Sequence, residues 1–180
     1  SLVDGIIIDE FYQNGTDTEQ TEHYEEWTEI MNNIKNNPEC ADKNFYGFIG
    51  WQYNPLYKPL VGPILELGYK VAFEKYLSEN VDLNYYFINS MEPWLQAFPG
   101  IIKQSIVFLA PDDLAPYMTL NSHPDVNFKV HLDNQFYALA NDKSFEGLYG
   151  VGFYRSYYTS NETMAWYNKL VRHYLIEGNK

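Results

Sequence analysis

The chain's 180 residues are enough for one domain with a sizeable core, and a hydrophobic content of 46% excludes a disordered chain. Twelve basic against 24 acidic residues give a formal net charge of -12, which argues against nucleic acid and anionic membrane surfaces as partners and leaves neutral or cationic ligands easier. The single cysteine, Cys40, rules out an internal disulfide framework and a multi-cysteine metal site, and no stretch is long and apolar enough to span a bilayer.

The opening residues, Val3-Asp4-Gly5-Ile6-Ile7-Ile8-Asp9-Glu10-Phe11, form an apolar β-branched run that ends in two adjacent carboxylates. Such a run predicts a strand buried on both faces, as in a parallel α/β sheet. It begins almost at residue 1, which points to a piece of something larger. A polar loop over 13–20 leads to a helix over 21–34, in which Tyr24, Trp27, Ile30, Met31 and Ile34 recur at helical spacing. Asn36-Asn37-Pro38 stops it. A second strand is expected over 45–51, a helix over 61–78, a third strand over 84–89 and a buried helix over 95–109, broken near Pro99-Gly100. Residues 128–132 alternate weakly as a strand, although 130–139 fit a helix equally well. A Gly-rich strand over 147–154 and a helix over 162–177, capped by Ser160 or Asn161 and ended by Gly178, close the chain. Alternating strands and helices predict an α/β fold of parallel βα units, and no repeat or linker divides residues 1–180, so one domain is expected.

Carboxylates just beyond the carboxyl end of a parallel strand stand where such folds place ligands and catalytic groups. Side chains alternate along a strand, so Asp9 and Glu10 face opposite ways, and one of them is free to cap a helix or pair with a base. Glu92, beyond the expected third strand and flanked by Met91, Pro93 and Trp94, is in a setting that raises a carboxyl pKa by desolvation, or it is simply a first-turn helix carboxylate. Trp51-Gln52-Tyr53, Trp94 and Tyr154-Arg155-Ser156-Tyr157 combine ring faces with hydrogen-bonding groups. Asp133 and Asn134 follow the uncertain fourth strand and offer hydrogen bonds to hydroxyls. Aromatic residues make up 18% of the chain, including 17 Tyr and 4 Trp, and either build the core or line a cleft for flat, hydroxylated ligands. His23, His123, His131 and His173 lack pairwise metal-ligand spacing, and neither a phosphate-binding Gly loop nor a serine nucleophile elbow is present. No cofactor and no metal are expected. Asn14-Gly15-Thr16 and Asn161-Glu162-Thr163 fit the N-glycosylation pattern.

Asp4-Gly5-Ile6-Ile7-Ile8-Asp9-Glu10 resembles the Asp-Gly-x-x-x-Asp segment on the fourth strand of many glycoside hydrolase barrels. The closing Gly-rich strand with Tyr154-Arg155 is also similar to the last unit of those barrels. The resemblance implies the second half, strands four to eight, of a TIM (β/α)8 barrel, with a missing N-terminal half-barrel segment or an oligomer completing it. It also implies an extracellular or cell-surface carbohydrate-active hydrolase acting on an oligosaccharide or polysaccharide. Glu10 or Asp9 would be the acid/base and Glu92 the opposing carboxylate, with Trp51, Tyr53, Trp94 and Tyr157 as sugar platforms. Two departures stand out: the common Asn-Glu pair is Asp9-Glu10, and the strand-seven position offers only Asp133. The alternatives are a non-catalytic carbohydrate-binding or structural barrel, and an open doubly wound α/β domain that binds a partner through its acidic face.

Overall fold

The computed structural model describes residues 4–9, 11, 16–114, 123 and 125–179, with Ser156 described in its backbone only. Glu10, Asn14 and Gly15 lie outside the described residues. Five strands, β1 (Gly5–Ile8), β2 (Asn44–Gly50), β3 (Lys70–Lys75), β4 (Ser105–Leu109) and β5 (Gly150–Phe153), form one sheet in the order 1-2-3-4-5, every pair parallel. Five α-helices accompany them: α1 (Asp17–Asn36), α2 (Lys58–Glu66), α3 (Glu92–Ala97), α4 (Phe128–Asn141) and α5 (Asn161–Leu170). Sequential order in an all-parallel sheet, joined by crossovers of one hand, puts the connections on one face. The fold is α/β, a curled half-barrel. No described helix is long and apolar enough to cross a membrane.

The curl is visible in which side chains meet. Phe48 on β2 and Phe108 on β4 flank β3, and strands two apart are about 9–10 Å from each other. Their ring centroids nonetheless lie 4.8 Å apart. Ala72, the small residue that β3 pairs with Phe48, leaves room for this approach. Gly152 does the same on β5: a Cβ there would come within 2.6 Å of the Phe108 ring. At the other end of the same face the Lys70 amine sits 4.8 Å from the ring of Tyr149, next to β5. The opposite face carries Phe45, Ile49, Val71, Phe73, Val107 and Leu109 into a core shared with Tyr24, Met31, Leu60, Ile64, Trp94, Phe136 and Tyr167 of the helical layer.

Several expected elements differ from those observed. Helix α1 starts earlier than residue 21 because Thr16 and Glu19 form a capping box: Glu19 N–H donates to Thr16 Oγ1 and Thr16 N–H to Glu19 Oε2. The helix expected over 61–78 is really α2 followed by β3, divided by Gly68 with φ of 76°. The helix expected over 95–109 is α3 followed, after Gly100 (φ 88°) and a 3-10 turn, by β4. In both, the strand carries apolar residues on its two faces and so lacks the sequence alternation that marks strands. The strand expected over 84–89 is a π-helical turn, Asn84–Ile88, started by the Asp82 carboxylate accepting from Asn84 N–H (2.9 Å) and Tyr85 N–H (3.3 Å). Residues 128–132 belong to α4, capped by Asn127, whose side chain accepts from Lys129 and Val130 N–H. The closing strand and helix are observed, with Ser160 as the cap and Gly178 left-handed at φ 69°. Thr163 of the second glycosylation pattern is buried in α5, its hydroxyl bonded to Asp113.

Candidate functional site

Alternation along the strands sets the lining of the concave face. Register places Phe48, Ala72 and Ile106 side by side, and Gly50, Glu74, Phe108 and Gly152 in the next row. Beyond β3, Tyr76 continues this row pattern, its ring 6.4 Å from Phe48 and stacked on Tyr154 at 4.8 Å and 10°. Aromatic rings thus floor the face, and ionisable groups gather at the carboxyl ends of the strands above it.

The Tyr76 hydroxyl is the centre of that gathering. It is buried, and no described residue hydrogen-bonds to it. Burial raises its pKa far above the ordinary tyrosine value, and the negative charges of Glu74, Asp9 and Asp112 push it further, together with the Tyr154 phenol. Charges at the ends of β1, β3 and β4 are therefore all felt at one phenol. Glu74 also raises the Tyr57 phenol, behind burial as the larger cause. Gly50, which β2 pairs with Glu74, has open space where a side chain would stand.

Asp112 is 1% exposed and neither carboxylate oxygen has a hydrogen-bond partner among the described residues. Its nearest opposite charge, Arg155 Nη1, is 3.9 Å away and itself unpartnered. Burial pushes the Asp112 carboxyl up to about 6; Arg155 opposes this and Asp113 adds to it. Arg155 stands at φ 59°, unusual for a side-chain-bearing residue, and lays its guanidinium over the rings of Tyr154 (5.2 Å) and Tyr158 (5.9 Å). Of the six buried side-chain atoms without a partner among the described residues, four belong to Tyr76, Asp112 and Arg155. Buried polar groups are normally satisfied, so such a concentration marks a place for water or ligand hydroxyls. Asp113 anchors this loop to α5: Ser160 N–H and Thr163 Oγ1 each donate to it at 2.6 Å. Burial works to raise the Asp113 carboxyl, but these bonds hold it below the usual carboxylate range.

The residues expected from sequence divide among several places. Asp9, Tyr154 and Arg155 belong to the concave cluster. Glu10 lies outside the described residues. Glu92 opens α3 on the helical side, exposed and accepting from Gln96 Nε2 at 3.1 Å, so the desolvation expected from its apolar neighbours does not arise. The third strand is β3, and the carboxylate it brings to the concave face is Glu74. Trp94 is fully buried: its indole N–H donates to the Trp51 carbonyl at 2.9 Å and its ring packs on Phe73, Tyr53 and Tyr57. That makes it a core side chain. Asp133 and Asn134 lie on α4; Asp133 accepts from the Tyr174 hydroxyl at 2.8 Å and Asn134 is exposed. Tyr157 is 74% exposed, edge to face with neither sheet ring but tilted on Tyr158 at 4.5 Å. Trp51, Gln52 and Tyr53 line a separate cavity of about 380 Å³ at the rim above β2 and β3. A larger cavity, about 540 Å³, lies at the other end of the sheet, where α4 runs into β5, and none of the concave carboxylates lines it.

Glu74, Tyr76 and Asp112 escaped the sequence reading although the signal that singled out Asp9 applies to them: an apolar run, Val71-Ala72-Phe73 or Ile106-Val107-Phe108-Leu109, ending in acidic groups. Among the described residues, no three His, Cys, Asp or Glu side chains are grouped as a metal site requires. No protein-family model matches the chain, and no curated protein is similar enough to count as a relative.

Proposed function

We propose that the half-barrel supplies strands four to eight of a (β/α)8 barrel and that its concave face is the carboxylate-bearing half of a carbohydrate-active hydrolase site. The observation that carries the reading is the group of buried, unpartnered polar atoms of Tyr76, Asp112 and Arg155 at the carboxyl ends of the strands, above a floor of aromatic rings, with the charges of Glu74, Asp9 and Asp112 acting on the Tyr76 phenol. Glycosidic bond cleavage needs two carboxyl groups facing one bond, one to protonate the leaving oxygen and one to act as nucleophile or to activate water. Glu74 takes the opposing role first expected of Glu92, and Asp9 or its sequence neighbour Glu10 the acid/base role. Asp112, Arg155 and Tyr76 bring unpaired acceptors and donors that suit sugar hydroxyls. The outer edges of β1 and β5 are unpaired in the five-stranded order, and further βα units or a second half-barrel close them.

Release of reducing ends from a panel of neutral polysaccharides tests this. The protein is expected to cleave at least one of them, and Glu74→Gln to slow cleavage by about 10²–10⁴-fold while sugar binding persists. Equal rates for Glu74→Gln and the parent protein refute the role of Glu74. Binding without any turnover in the parent protein favours the non-catalytic sugar-binding barrel instead.

A further inference from the structure

The cavity formed by Trp51, Gln52 and Tyr53 with Tyr85, Asn89 and Ser90 shares no residue with the concave cluster, yet it opens at the same, carboxyl end of the sheet. Its volume of about 380 Å³ falls in the range of small-molecule sites, about 300–1,000 Å³. Three of its side chains are aromatic rings with supports of their own. Trp51 is held between the Lys75 amine, 5.2 Å from its ring centre, and the ring of Tyr86 at 5.6 Å and 77°. Tyr53 is braced edge-on by the buried Trp94 at 5.1 Å, and Tyr85 edge-on by Tyr86 at 4.8 Å. Rings fixed before binding cost little further ordering when a ligand arrives.

The polar part of the lining is equally selective. Gln52 and Asn89 offer amide donors and acceptors, and Ser90 a hydroxyl, while among the described residues no Asp, Glu, Lys, Arg or His lines the cavity. The Lys75 amine, wholly buried behind the wall and with its pKa pushed down to about 7 by that burial, is spent on Ser90 Oγ and the Tyr86 carbonyl. The side chains of the lining offer an anionic or cationic ligand no counter-charge. Flat ring faces combined with amides and a hydroxyl, without charge, match the mixed surface of a neutral sugar ring.

From this lining we infer that the rim cavity is an accessory subsite for a neutral pyranose unit, separate from the concave cluster and placed to hold a sugar chain that extends over the rim of β2 and β3. The subsite rests on the carbohydrate reading of the concave face, but its binding is measurable without turnover. Trp51 sits in the cavity wall, so tryptophan fluorescence reports occupancy. The probes are ladders of cello-, chito-, laminari- and malto-oligosaccharides from two to six units, titrated against the parent protein, Tyr85→Ala, the double variant Gln52→Ala/Asn89→Ala, and Glu74→Gln. Tyr85 is 63% exposed and Gln52 and Asn89 lie at the surface, so these variants spare the core.

At least one ladder is expected to bind saturably, with Tyr85→Ala about tenfold weaker and Glu74→Gln still showing the Trp51 fluorescence change. A cleaved ladder is expected to show KM raised for its longer members in the cavity variants, with kcat on the shortest cleaved member unaltered. Undiminished binding and unchanged KM in both cavity variants overturn the subsite while leaving the hydrolase reading standing. Absence of binding by every ladder at millimolar concentration overturns it as well. Saturable binding that Tyr85→Ala weakens, with no cleavage of any ladder, leaves the subsite and refutes the hydrolase reading.

Discussion

Asp112→Asn tests whether the concave cluster holds its charges for a ligand or for the fold. The native carboxyl is displaced from 3.8 to about 6 by burial, so in the unfolded chain it ionises more readily than in the folded one. Between about pH 4 and 6 the folded state therefore binds the extra proton, and this group's contribution to stability falls as pH rises through that window. Above about pH 6 the penalty is complete. A displacement of that size corresponds to roughly 3 kcal/mol as an upper bound. Asparagine removes the buried charge at nearly constant volume; the attraction of Arg155 at 3.9 Å is already contained in that displacement, and the new amide's own buried, unpartnered donor and acceptor lower the net gain to about 1–2 kcal/mol. The assay is urea unfolding of both proteins from pH 4 to pH 8. The variant is expected to be the more stable at pH 7.5, with its advantage shrinking toward zero near pH 4, and to bind sugar more weakly. A variant less stable than the parent at pH 7.5, most so where Asp112 is ionised, would make Asp112–Arg155 a stabilising ion pair and refute the reasoning.

The packing of the concave floor and the open sheet edges give two further tests. Gly152→Ala forces the new methyl to within 2.6–2.9 Å of three Phe108 ring atoms, whereas Gly50→Ala enters open space. The first is expected to cost about 1–2 kcal/mol and the second to gain about 0.5–1 kcal/mol in urea unfolding, and equal effects would contradict the seating of the Phe108 ring over Gly152. Ile6 and Ile7 on β1 are 46% and 50% exposed beside an unpaired strand edge. Sedimentation velocity is expected to show self-association that Ile7→Lys reduces, and a stable monomer across concentrations would contradict the need for closure.

The fold is legible in the sequence where a segment carries one strong local pattern. The run Ile6-Ile7-Ile8 ending in Asp9 is a strand, although Ile6 and Ile7 are exposed rather than buried on both faces; the periodic residues of α1 are a helix, and Ser160, one of two expected caps, begins α5. β3 and β4 are not legible, for a shared reason. Both lie between a helical layer and a populated concave face, so Val71, Ala72, Phe73 and Val107 are all buried and the period of two disappears into a continuous apolar run. Gly68 and Gly100, whose left-handed backbone separates these strands from the helices before them, were the available signals. Misplacing β3 moved the expected carboxylate from Glu74 to Glu92. The composition of the aromatic run Tyr85-Tyr86-Phe87 favours a strand, while the Asp82 cap just before it decides for a helical turn. Asp9, Tyr154 and Arg155 were legible because they border the two strands at the sheet's edges that were correctly placed. The partners they meet, Glu74, Tyr76 and Asp112, lie on the two that were not.

The most direct test of the concave site is amide chemical-shift mapping of the protein titrated with the oligosaccharide ladders. The account places the largest shifts at Asp9, Glu74, Tyr76, Asp112 and Arg155, with a second, separable set at Gln52, Tyr85 and Asn89. Sugar binding that leaves the first set unmoved, or shifts confined to the outer faces of α1, α4 or α5, would contradict it.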